Sequence, residues 1–262
     1  MDSKGIFRPA APLNTEENDA SMSRDTIFQQ HDIKEDFSFN EQVAEVFDDM
    51  VHRSVPLYET VIDAIARILD RHQPGRQLTV YDLGCSTGTT LLELSRRLQH
   101  RRLRLIGIDN AESMLAKARK KAAMFCKTDC LSFRKDDITG CSLTDADAIL
   151  CNYTMQFIRP PVRNALARRF YQALPSGGLL IVCEKVLAAG AFHRPFIDIY
   201  HDFKRKQGYS ELEIAAKREA LENVLVPFTV DENISLLREA GFAEVEIFCK
   251  WFNFASFVAR KI

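Results

Sequence analysis

From Leu78 onward, short apolar runs alternate with amphipathic stretches, and that alternation restricts the fold more than any other feature of the chain. LTVYDLG (78–84), LRLIGID (103–109), LSFRKDD (131–137), DAILCNY (147–153) and GGLLIVCEK (177–185) read as strands. Between them, three sets recur at helical spacing: Leu91, Leu94 and Leu98; Met114, Leu115, Ala118, Ala122 and Phe125; Val162, Leu166, Phe170 and Leu174, with Pro161 opening the last. Strands this apolar need cover on both sides, which predicts an α/β protein with a mostly parallel sheet between helices. VEIFCKWFNFASFVARKI (245–262) is rich in β-branched and aromatic residues and reads as a closing antiparallel pair. A helix carrying Ile234, Leu237 and Ala240, stopped by Gly241, precedes it.

Two helices are expected ahead of the alternation. Asn40 looks like an N-cap for Val43, Val46, Phe47 and Met50. Ser54 and Pro56 open a second helix with Val61, Ile65, Ile68 and Leu69 buried, stopped by Pro74-Gly75. Residues 1 to about 35 are polar and show no apolar period, so they read as a flexible tail. Residues 36–262 then form one domain, with the charged helical region 190–228 as a lid.

Charge and cysteine content exclude several function classes. Lys+Arg 35 against Asp+Glu 36 gives a net charge of −1, with no general attraction for phosphate backbones, so direct nucleic-acid binding is not expected. Arg96-Arg97, Arg101-Arg102 and the lysines between 117 and 121 read as solvated helix faces. No apolar run approaches the ~20 residues of a membrane span, and the first residues lack a signal peptide's apolar stretch. The expectation is a soluble, cytoplasmic protein. The 7 cysteines are odd in number and mostly sit in apolar runs; no zinc-ligand spacing accompanies Cys126 and Cys130, and no metal is expected.

The chemistry-bearing motif is DLGCSTG (82–88), at the end of the first strand. Gly84 and Gly88, with Cys85 and Ser86 between them, let the backbone approach a ligand at the next helix's N-terminus. Asp109 ends the second strand about 20 residues on, where a carboxylate can accept both ribose hydroxyls. A helix cap is the other use for it, though Asn110 can serve there. Asp136-Asp137-Ile138 suits an adenine, with an acceptor for the amino group and an apolar surface for the ring; a solvated acidic turn explains it as well. Asn152 ends the fourth strand and faces the same crevice. Glu184-Lys185 reads as a possible internal pair.

DLGCSTG, Asp109-Asn110, DDI and the strand-end Asn152 resemble the Rossmann-like class I methyltransferase fold, which binds S-adenosyl-L-methionine on a seven-stranded sheet. Further blocks outside that core narrow the resemblance: RDTIF (24–28), FNEQVAEVFDDMVHRSVPLY (39–58), NYTMQF (152–157), HDFKRKQGYSELEIAAKRE (201–219), LENVL (221–225) and FNFASFVA (252–259). Over residues 22–262 the chain is similar to the carboxy-S-adenosyl-L-methionine synthase family, which leaves Met22 as an alternative start.

The resemblance implies an enzyme that uses S-adenosyl-L-methionine as substrate and prephenate as co-substrate. A sulfonium ylide captures carbon dioxide, giving carboxy-S-adenosyl-L-methionine and phenylpyruvate. It implies a homodimer whose product goes to a tRNA carboxymethyltransferase making 5-oxyacetyluridine at the wobble position. It further implies that Tyr58 lies by the methionine end of the ligand and that Arg218 holds the new carboxylate, from its own subunit or across the dimer. His201 and Tyr209 match the family block without an assigned role. Two other readings stand beside this one: a methyltransferase acting on a small molecule or RNA, and a non-catalytic S-adenosylmethionine-binding partner of a tRNA-modifying enzyme. Asn152-Tyr153-Thr154 lacks the Asn/Asp-Pro-Pro-aromatic pattern that places a nitrogen acceptor, which counts against one branch of the former.

Overall fold

The computed structural model describes residues 23–29, 37–72 and 76–262. Eight helices are present among them: α1 Glu41–Ser54, α2 Tyr58–Arg71, α3 Thr89–Arg97, α4 Glu112–Met124, α5 Pro160–Ala173, α6 His193–Lys206, α7 Glu211–Leu221 and α8 Val230–Ala240. The strands are β1 Leu78–Leu83, β2 Leu103–Asp109, β3 Leu131–Lys135, β4 Ala148–Asn152, β5 Leu179–Leu187, β6 Phe228–Thr229, β7 Glu244–Trp251 and β8 Phe254–Arg260.

They pair in the order β3-β2-β1-β4-β5-β8-β7, and only the β5–β8 and β7–β8 ladders are antiparallel. Strand order reverses between β1 and β4, so the carboxyl ends of these neighbours border a crevice. All six residues of β1 are buried because alternate side chains enter opposite cores. Tyr81 and Leu83 join Phe170, Leu237 and Phe257 on one face; Leu78 and Val80 join Ile65, Leu69 and Leu94 on the other.

Several expectations need correction. The sheet has eight strands, because the two-residue β6 runs beside Val186 and Leu187, too short to leave a sequence pattern. Asn40 does cap α1 by accepting from the Val43 N–H at 3.0 Å, but α1 continues through Ser54. The next helix starts only at Tyr58, after Leu57 in a left-handed conformation, and the proposed stop at Pro74-Gly75 lies outside the described residues. Phe125 is exposed because α4 ends before it, and Val162 is exposed in the first turn of α5.

The basic runs are not simple solvated faces. Arg101 donates to the Leu69, Asp70 and His72 carbonyls that end α2, and Lys117 donates to the Ala44 and Glu45 carbonyls of α1.

The tail expectation also fails in part. Residues 1–22 and 30–35 lie outside the described residues, but Asp25 between them is 1% exposed. Its carboxylate accepts from the Tyr209 hydroxyl at 2.6 Å and faces Lys217 Nζ at 3.6 Å, while its N–H donates to Asp49 at 2.7 Å. Phe28 packs with Met50 and Ala220. One buried acid with one aromatic anchors a segment that has no apolar period.

Candidate active site

A cavity of about 620 Å³ opens at the β1–β4 crevice. Of the residues singled out from sequence, Tyr58, Gly84, Cys85, Ser86, Asp109, Asn110, Asp137, Ile138, Asn152 and Arg218 line it, whereas Gly88 and Tyr209 do not. Helices α6 and α7 add Tyr200, His201, Lys204 and Lys217.

The glycine turn is held from both sides. The Gly84 and Cys85 N–H groups both donate to the Ile108 carbonyl, at 2.8 and 3.1 Å. Gly84 has φ +73°, and a Cβ there would stand 2.5 Å from Thr154 Cγ2, so no other residue fits without displacement. Cys85 can offer a ligand little but its backbone: its thiol is buried against Gly107, and burial raises its pKa well above the ordinary thiol value. Beneath the turn, Asp48 of α1 accepts from the Thr87 and Thr89 hydroxyls at 2.6 and 2.8 Å and from Lys121 at 3.0 Å. Burial acts to raise the Asp48 pKa, but Lys121 and the two hydroxyls bring it below the ordinary value.

Asp109 accepts the Ser86 N–H at 2.8 Å on one oxygen and the Ala111 N–H at 2.9 Å on the other. It therefore both shapes the turn and starts α4, while each oxygen keeps a lone pair for a ligand hydroxyl. Burial raises its pKa, opposed by backbone donors from Ala111, Ser86 and Asn110. Asp137 accepts from the N–H and hydroxyl of Thr139 at 2.8 and 2.7 Å, beside buried Ile138.

Asp82 stands in the DLGCSTG motif without any sequence signal that marks it as a site residue. Its Oδ1 is buried without a partner among the described residues, as is Asn152 Oδ1. Two orphaned acceptors on one cavity wall call for a ligand carrying N–H or O–H donors. Burial, and then the charge of Asp109, push the Asp82 pKa up to about 7. Tyr58 lines the same cavity beside Thr90, to which Asn152 Nδ2 donates at 3.3 Å; its phenol pKa is raised by burial and its ring lies 6.3 Å from that of Tyr153.

Another part of the cavity lining is cationic. Arg218 is exposed at the cavity rim on α7. Lys185 does not pair with Glu184: that carboxylate points away to accept the Met155 and Gln156 N–H groups at 2.8 and 2.9 Å, and burial raises its pKa to about 8. Lys204 on α6 and Lys217 on α7 are buried. His201 is held below its ordinary pKa by burial and by Lys204, Lys185, Arg205 and Arg218, so this wall keeps it neutral. Among the described residues no group of three or more His, Cys, Asp or Glu side chains could hold a metal, and no helix is long and apolar enough to cross a membrane.

Comparisons with known proteins agree with this geometry. A family model described as a methyltransferase domain matches residues 80–178. The carboxy-S-adenosyl-L-methionine synthase of Desulfotalea psychrophila is 52% identical over 239 residues, covering 91% of this chain and 97% of its own. That of Methylococcus capsulatus is 45% identical over 244 residues, covering 92% and 100%. Human N-acetylserotonin methyltransferase, solved in complex with SAM, aligns with a TM-score of 0.59 at 16% identity, over 84% of this chain and 55% of that one. An O-methyltransferase family 2 protein from Planctomyces limnophilus, solved with apigenin, gives 0.60 at 19%, over 85% and 62%. The chain spans little more than half of these two structures, and they establish the class I methyltransferase fold alone.

Proposed function

The chain belongs to the carboxy-S-adenosyl-L-methionine synthase family, and we propose on that footing that it converts S-adenosyl-L-methionine and prephenate into carboxy-S-adenosyl-L-methionine and phenylpyruvate. The observation that carries this reading is one cavity lined both by the donor-seeking oxygens of Asp82 and Asn152 and by the cations Lys185, Lys204, Lys217 and Arg218. A methyl transfer needs the first set; building a carboxylate on the transferred carbon gives the second a task.

In this reading Asp109 takes the ribose hydroxyls, and Asp137 with Ile138 the adenine. Tyr58, Asp82 and Asn152 surround the methionine end, and Asn110 with the 84–86 backbone closes over the nucleoside. The residues fit such a ligand: Gly84 leaves no room for a side chain, and the orphaned Asp82 and Asn152 oxygens accept its donors. The sulfonium acidifies its methyl protons, so hydroxide lost with carbon dioxide from prephenate removes one as water, and the ylide carbon takes up that carbon dioxide. The protein positions the partners, keeps bulk water out and balances the new carboxylate with Arg218. We further propose a cytoplasmic homodimer whose product serves a tRNA carboxymethyltransferase at the wobble uridine.

The test is incubation with both substrates followed by mass spectrometry. Carboxy-S-adenosyl-L-methionine and phenylpyruvate in equal amounts are expected. S-adenosylhomocysteine with a methylated acceptor would replace this reading by an ordinary methyltransferase.

A further inference from the structure

The cationic wall contains more charge than the new carboxylate requires. Lys185 on β5 and Lys204 on α6 both line the cavity, and Lys204 is only 6% exposed. No ion pair ties either to a carboxylate among the described residues. The contact described for each is the Tyr200 ring, 5.2 Å from Lys185 Nζ and 4.7 Å from Lys204 Nζ. That ring is fixed in turn, because its hydroxyl donates to the Ser54 carbonyl at 2.9 Å. Lys217 is different: it faces Asp25 and donates to Ser54 Oγ at 2.9 Å, so its charge is answered within the protein.

Two ammonium groups, Lys204 buried and Lys185 half-buried, with only an aromatic face for company are costly, and their cost falls when an anion arrives between them. Burial lowers the pKa of both, and that of Lys204 is lowered again by Lys217 and by Lys185, which places the two close enough to repel. A sulfonium entering the same cavity adds a third positive charge. A monoanion would leave two of those three charges uncancelled; a dianion leaves one.

We propose that Lys185 and Lys204, braced on Tyr200, form the subsite that binds the carboxylates of the second substrate, so that the cavity selects a small dicarboxylate. This inference rests on the reading that the cavity takes S-adenosyl-L-methionine with prephenate, and it assigns the residues that recognise the latter.

The experiment uses the full chain and the variants Lys185→Met and Lys204→Met, which keep the side chain's length without its charge. Prephenate is titrated into each protein saturated with S-adenosylhomocysteine, which has no methyl to react, and succinate serves as a second dianion probe. Each variant is expected to bind prephenate at least about tenfold more weakly, with S-adenosyl-L-methionine affinity within about twofold of the parent. Its melting temperature should be unchanged or higher, because an unpaired buried charge has gone. Prephenate affinity equal to the parent's in both variants overturns the proposal, as does a parent that binds neither dianion. An equal loss for S-adenosyl-L-methionine overturns it too, by placing the lysines on the nucleoside ligand. A parent that binds both dianions through these lysines but never turns prephenate over supports the subsite while removing the reaction proposed above.

Discussion

The two walls of the cavity are built differently. The acidic wall comes from strand ends: Asp82, Asp109, Asp137 and Asn152 close four neighbouring strands or the turns that follow them, so one sheet fixes all of them. The cationic wall draws on β5, α6 and α7, and its helical part is held by contacts with Asp25 and Ser54. The first wall is rigid because ladder bonds position it. The second depends on a few buried polar contacts between segments far apart in the chain. A segment held by so few contacts opens more readily than one held by sheet ladders.

The sharpest break in that contrast is Asp25→Ala. It leaves Lys217 buried opposite Ser54 and Tyr209 with no carboxylate, and unfolding titrations should show a loss of about 3–5 kcal/mol. A loss below about 1 kcal/mol would mean that α7 is held elsewhere.

On the acidic wall, Asp82 should give a pH signature. Its pKa of about 7 in the folded protein lies above the ordinary 3.8, so the native state keeps a proton that the unfolded chain releases. Its contribution is present at low pH and is lost as pH rises from about 4 to 7, with a slope approaching 1.4 kcal/mol per pH unit, then levels off. Asp82→Asn should flatten that part of the stability profile; an unaltered slope would assign the titration to another group.

Asp109→Ala is expected to weaken S-adenosyl-L-methionine binding by about 1.5–3 kcal/mol, because it removes the ribose acceptor and frees the Ser86 N–H that shapes the turn. Calorimetry that returns the parent's affinity would move the ribose away from β2.

Arg218→Ala should act on the other wall alone. Because Arg218 is exposed at the rim, affinity for carboxy-S-adenosyl-L-methionine should fall by about 1–2 kcal/mol, the lower part of what a shielded pair contributes, with S-adenosyl-L-methionine spared. Equal losses for both ligands would make Arg218 structural. The smallest effect is expected from deleting residues 1–21, which leaves Asp25 in place: melting temperature and turnover should stay within error. Extending the deletion through residue 29 should reproduce the Asp25→Ala loss.

Much of the acidic wall was legible because its residues are local in sequence. A strand, a tight glycine turn and a carboxylate one strand later report themselves through spacing, and DLGCSTG with Asp109 was enough to point to the crevice where the cavity lies. Asp82 escaped notice inside that motif, since nothing in a sequence shows that one carboxylate oxygen will be buried without a partner. Arg218 was reached only through the family resemblance, as one charge among many on a helix. Lys185 and Lys204 were not reached at all: one was assigned to a pair with Glu184, the other lay unremarked in HDFKRKQGYS.

Sequence alone determined the α/β layering, the antiparallel close of the sheet and the glycine turn, because hydrophobic period and turn chemistry act over a few residues. The tertiary structure decided the charge of the second wall, the docking of Asp25 and the tying of Lys117, Lys121 and Arg101 into helix ends and buried carboxylates. Those outcomes depend on which side chains lose water together, and a buried charge is set by partners brought from distant segments.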